Sequence, residues 1–92
     1  MALSRIGVKL KMNNLQKYIT AFVETFEVME SDLNGLSYQD IPAWDSVGHM
    51  ALMAELEDVF DVELDIDDII DFSSFEVGKS IMKKYDVEVE QS

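Results

Sequence analysis

The chain has 92 residues, 48% of them hydrophobic and 28% charged, with 19 acidic residues against 7 basic ones, a net charge of -12 at pH 7 and a pI near 4.1. That is the balance of one small folded domain rather than of a disordered acidic segment, and its field repels nucleic-acid phosphates and anionic lipid heads while attracting basic protein surfaces. With no cysteine and one histidine, disulfide frameworks, thiolate nucleophiles and histidine-cluster zinc sites are excluded.

No apolar run approaches the roughly 20 residues of a membrane span. The opening "MALSRIGVKLK" has neither the apolar stretch nor the cleavage site of a signal peptide. The expectation is a cytoplasmic monomer with no membrane insertion and no nucleic-acid partner. Residues 1–12, which carry Arg5, Lys9 and Lys11 and no acid, read as a flexible N-terminal extension, 13–86 as the domain and 87–92 as a fraying tail.

From Asn14 the pattern is helical: Leu15, Ile19, Phe22, Phe26 and Met29 recur at steps of three and four, and Asn13 or Asn14 supplies the N-cap. "SDLNGLSYQDIPAWD", 31–45, breaks it with Asn34-Gly35 and Pro42. So long a connection is usually functional or packed by its own side chains, for which Leu33, Leu36, Ile41 and Trp44 are the candidates. A second helix is expected over 46–60. "DVELDID" then alternates acid with aliphatic, an extended segment turning Val62, Leu64 and Ile66 inward, and "DDII" marks a short helical turn near 67–71. In the last helix Ser73 and Glu76 have capping-box spacing, Phe72 and Val77 that of a hydrophobic staple, and Val77, Ile81 and Tyr85, flanked by Gly78 and Met82, an inner stripe. Lys79, Lys83 and Lys84 gather toward its C-terminal half, as the helix dipole favours. The expected fold is all-α: a small four-helix bundle of three main helices plus one short helix, with a long first loop.

The second helix carries more apolar surface than a bundle needs. Leu52, Met53, Leu56 and Phe60 form one stripe, yet Val47, Met50 and Ala54 form another, ending beside Glu57 and Asp58. The extra stripe reads either as wrapped core, with methionine filling gaps, or as a docking strip. Asp45 and Ser46 stand at the helix mouth. Either side chain suits N-capping, and a phosphate on Ser46 would meet the free amides and positive end of the helix dipole.

"WDSVGHMALMAELEDVFDVELDIDDI" resembles the acyl carrier protein family, whose Asp-Ser-Leu or similar motif opens the second helix. The resemblance extends as a helix pattern from Leu15 to Tyr85 and is specific from Trp44 to Ile70. It implies an acyl-carrier-like domain that is not an enzyme. Ser46, preceded by Asp45, would receive 4′-phosphopantetheine from coenzyme A through a magnesium-dependent phosphopantetheinyl transferase. The arm's thiol would hold acyl or aminoacyl cargo as a thioester, placed by a loading enzyme and taken by a downstream transferase or synthase with a basic or apolar docking patch. Val47 stands where Leu is commoner, and Glu57 and Asp58 match acids that carriers use late in this helix. Gly48 and Ala51 stand where carriers of fatty acid synthesis have acids, so docking is expected to lean on Val47, Met50 and Ala54. "DSVGHM" looks more like stand-alone carriers of specialised pathways. His49, in line with the inner stripe, is given no role.

Three rivals are weighed beside this. An EF-hand starting at Asp61 has acids at Asp61, Glu63 and Asp65 but Ile66 and Phe72 where Gly and Glu are required, so no metal site is assigned. A serine hydrolase would need Ser46 activated by His49, with no oxyanion constellation in view. An unmodified acidic helical adaptor shares the fold and the strip and stands as the alternative.

Overall fold

The computed structural model describes residues 13–89, in which the main elements are the helices α1 (Asn14–Phe26), α2 (Ser46–Phe60), α3 (Ile66–Asp71) and α4 (Phe75–Lys83). The basic extension, 1–12, and the last three residues of the tail lie outside the described residues. Asn13 is the N-cap of α1, its side chain accepting from the Gln16 amide at 2.8 Å. The buried face of α1 is Tyr18, Ala21, Phe22 and Phe26, one position round from the Ile19-centred stripe: Leu15 and Ile19 are half-buried. Met29 is 66% exposed because the helix has already ended. Glu27 takes the left-handed conformation (φ 56, ψ 49) and returns its N–H to the Val23 carbonyl.

The long first connection is packed by its own side chains. Leu33, Leu36 and Trp44 are buried and Ile41 packs against the core, after a single 3-10 turn at Glu30–Asp32. Its backbone is closed on itself: Gln39 N–H donates to the Trp44 carbonyl and Asp40 N–H to the Ser37 carbonyl, both at 2.9 Å. It is also stitched to the entry of α4, Tyr38 N–H donating to the Ser73 carbonyl and Phe75 N–H to the Leu36 carbonyl, again at 2.9 Å.

α2 has the bounds its pattern predicts, with Leu52, Met53 and Leu56 buried and Phe60 half-buried. Three other expectations are corrected. In the segment after α2, Leu64 is buried and Val62 half-buried, but Ile66 is 72% exposed because it opens α3 rather than continuing the alternation. The cap of α4 is Ser74, whose Oγ accepts from the Val77 amide at 3.0 Å, so the Ser73–Glu76 box and the Phe72–Val77 staple do not form. This one-residue shift turns Val77 to solvent and puts Phe75 and Gly78 on the inner face with Ile81 and Met82, Tyr85 being half-buried. Nor does the chain fray at once beyond Tyr85, since Val87 and Val89 are buried in the core.

Phe22 is the aromatic centre, with Tyr18, Phe75, Trp44, Phe26 and Phe72 ring centroids 5.0 to 6.2 Å away. Truncating such a residue to alanine costs about 3–5 kcal/mol. α4 approaches this cluster through Gly78, where an added Cβ would lie 2.2 Å from both the Phe72 ring and the Tyr18 hydroxyl. That hydroxyl donates to the Phe75 carbonyl at 2.8 Å, and burial, then the Glu76 charge, pushes its pKa far up, so it stays a neutral donor.

A polar clasp joins α3 to the end of α4. The buried Asp68 carboxylate accepts from Lys84 Nζ at 2.6 Å and from the Tyr85 hydroxyl, which in turn accepts from the Asp65 amide at 2.9 Å. The bonds from Lys84 and then Tyr85 hold the Asp68 carboxyl below its ordinary pKa. Its contribution to stability is therefore complete above the unfolded value of about 3.9 and is lost as pH falls through the lower folded value. In acid titrations followed by denaturant unfolding, the wild-type chain should lose stability more steeply below about pH 4 than Lys84→Met. Parallel curves would show that the clasp has no energetic weight.

Candidate functional site

The mouth of α2 is built by two neighbours in sequence with divided labour. Asp45 is the N-cap: its Oδ1 accepts from the Gly48 amide at 2.8 Å and its carbonyl from the His49 amide at 2.7 Å. Capping by Asp45 leaves Ser46 free of that duty. Ser46 is exposed, and its hydroxyl has no hydrogen-bond partner among the described residues. The Ser46 and Val47 amides, the first two of the helix, likewise have no protein acceptor among them.

Beside Ser46 opens a mostly apolar groove of about 320 Å³. Ser46, His49 and Met50 line it from α2 and Ile69 and Ile70 from α3, with Tyr38, Phe72 and Ser73 completing the lining. The second stripe of α2 is turned outward: Val47 is 76% and Met50 53% exposed, and Ala54 is exposed as well. Ile70, 71% exposed on α3, lies across the groove and extends this apolar surface. The two acids at the far end of α2 differ. Asp58 is exposed, whereas half-buried Glu57 accepts from the Leu64 amide at 2.9 Å and so holds the chain that follows the helix.

His49 is the residue that sequence reasoning passed over. It is half-buried, and its Nδ1 lies 3.0 Å from the indole Nε1 of Trp44. An indole N–H only donates, so Nδ1 is the acceptor and the ring proton sits on Nε2, which donates to the Ile69 carbonyl at 2.8 Å. The imidazole lies side by side with the Trp44 ring, as the bond from the indole requires (centroids 6.3 Å apart, 15° between planes), and meets Tyr38 and Phe72 edge-on. The available signal was physical: a lone buried Trp needs an acceptor, and His49 lies one helical turn and a cap beyond it. With both its nitrogens engaged elsewhere, His49 presents no general base to the Ser46 hydroxyl. Among the described residues no three His, Cys, Asp or Glu side chains are grouped to hold a metal ion, and no helix is long and apolar enough to cross a membrane.

Gly48 is fixed by the approach of the connection to α2. A Cβ there would lie 1.9 Å from the Ala43 carbonyl oxygen and 3.4 Å from the Phe26 ring. The position two residues after Ser46 is therefore closed to any side chain.

No family model, curated protein or solved structure matches the chain.

On an open helix, Gly→Ala gains about 1 kcal/mol. In Gly48→Ala the clash with a backbone oxygen reverses the sign, and a net loss of about 1–3 kcal/mol is expected in urea unfolding. A stabilised Gly48→Ala protein would mean that the 43–48 segment packs differently.

Proposed function

We propose that the chain is a carrier: Ser46 holds a 4′-phosphopantetheine arm and presents its acyl or aminoacyl cargo to partner enzymes, as the resemblance to acyl carrier proteins implies. The observation that carries this reading is the exposed, unbonded Ser46 hydroxyl at the positive end of α2, with capping already met by Asp45. The residues present fit the group. The open Ser46 and Val47 amides would hold a phosphodiester on Ser46 Oγ, and the groove beside it would offer an apolar surface at the root of the arm. When bound, the arm supplies a thiol that carries cargo as a thioester.

This chain's own residues position and recognise. Asp45 fixes the start of α2, and Val47, Met50 and Ala54 offer an apolar strip to a transferase, loading enzyme or downstream synthase. Asp58 and the wider acidic field steer partners with basic patches. The proton of Ser46 is taken by the transferase, since no base of this chain is aligned on it. The pathway is fatty-acid-like or specialised, in the cytoplasm, and the closed Gly48 position favours the specialised kind.

An adaptor that binds through the same strip without modification is the second reading, favoured by the exposure of Val47, Met50 and Ile70. Intact mass separates the two. Co-expression with a broad-specificity phosphopantetheinyl transferase should add one prosthetic group, absent from Ser46→Ala, whereas unchanged mass in a folded wild-type chain selects the adaptor. Met50→Glu should keep stability within about 0.5 kcal/mol and weaken transferase engagement about tenfold, the loss of one apolar contact. Unfolding of that variant would show that Met50 belongs to the core.

A further inference from the structure

We propose that His49 is a positioning residue for the Ser46 site: its Nε2–H holds the short helix α3 in place as one wall of the groove, and breaking that bond lets the wall move. The inference rests on the carrier reading in one respect only, that what is attached at Ser46 meets this groove.

α3 is poorly equipped to hold itself. Its six residues are far fewer than an isolated helix needs. It turns Ile66 and Ile70 to solvent, 72% and 71% exposed, and its buried residue is a carboxylate, Asp68. Apolar packing from α3 comes from Ile69, which is only half-buried. Polar tethers therefore decide where it lies. One runs to the end of α4, through Asp68 to Lys84 and Tyr85. The other runs to α2, from His49 Nε2 to the Ile69 carbonyl at 2.8 Å. That carbonyl is otherwise met by the Phe72 amide at 3.4 Å, a long contact at the end of the helix. His49 thus serves as a C-terminal cap supplied from another element.

The two tethers run to different helices, one to the end of α4 and the other to α2. With the first intact, loss of the second leaves the helix pinned to α4 while Ile69 and Ile70, the groove's far wall, are released from α2. The Trp44 bond secures the tautomer on which this depends: because the indole donates to Nδ1, the proton is always on the nitrogen that faces Ile69. Trp44, His49 and α3 form a relay that passes within one turn of Ser46.

Side-chain amides separate the two bonds. His49→Asn places an acceptor near the Nδ1 position and has no reach to α3; His49→Gln places a donor near Nε2; His49→Phe keeps a ring and removes both. In the unmodified chain, hydrogen exchange at the Ile69, Ile70 and Asp71 amides should rise about five- to tenfold in His49→Asn and His49→Phe, one hydrogen bond's worth. It should stay near wild type in His49→Gln, with the α1 amides unchanged in all three. Fluorescence of Trp44, the only tryptophan, should shift in His49→Gln and His49→Phe and hold in His49→Asn, showing that the bonds were cut separately. With a phosphopantetheinyl transferase, KM should rise in His49→Asn and be restored in His49→Gln, with kcat unchanged. Unaltered α3 exchange in His49→Asn, or an equal rise in α1 and α3, overturns the proposal. If His49→Phe does not fold, the Asn and Gln pair decides. If wild type gains no mass, the carrier reading fails while the exchange data still judge His49.

Discussion

A buried indole carries one donor and no acceptor, and the architecture around Ser46 follows from satisfying that donor. Trp44 is fully buried, stacked on Phe26 at 5.1 Å and set edge-on to Phe22 at 5.6 Å. Its ring pins the end of the long connection to α1, and because it stands two residues before Ser46 it also fixes where α2 can start. An unpaired N–H at that depth would cost about 1–3 kcal/mol. His49 removes the penalty, and in doing so turns its own remaining donor toward α3. One hydrogen bond required by the core thereby organises a surface feature.

The same crowding explains the shape of the α2 mouth. The connection passes so close that the Ala43 carbonyl occupies the space of a side chain at position 48. Glycine there weakens helix propensity in the first turn, and the Asp45 cap offsets part of that loss. The serine is then left with no structural task, which is the condition for a hydroxyl to be available to another protein. Around it, Val47 and Met50 stay exposed to water.

Charge completes the picture. Among the described residues the ion pairs are Lys84 with Asp68 and Lys79 with Glu76, at 2.6 and 3.4 Å. Most of the described acids therefore have no ion-pair partner among the described residues, and the chain's excess of acids sums to a long-range negative field. Such a field contributes little to holding the bundle together and much to the rate at which a basic surface finds it.

Local pattern determined the all-α class, the bounds of α2, the place of the short helix and the packing of the first connection, because each depends on periodicity or on turn residues that act within a few positions. The Asp45–Ser46 pair and the existence of a second stripe were equally legible, since helix spacing alone sets Val47, Met50 and Ala54 apart from Leu52, Met53 and Leu56; that this stripe faces water was decided by the fold. What the chain could not announce were events settled by competition at a distance. α1 stops at Phe26, capped by Glu27 in a left-handed conformation usually left to glycine, so no residue type marked its end. Ser73 and Ser74 are equal as caps on paper, and the choice fell to Ser74 because Phe75 and Gly78 fit against Tyr18 and Phe72 in that register. Val87 and Val89 found core surface that only the assembled helices create. His49 belongs to the same class: its partners, Trp44 and the Ile69 carbonyl, belong to two other segments of the chain, and the hydrogen-bonding needs of a buried indole become visible only when the fold has brought them together.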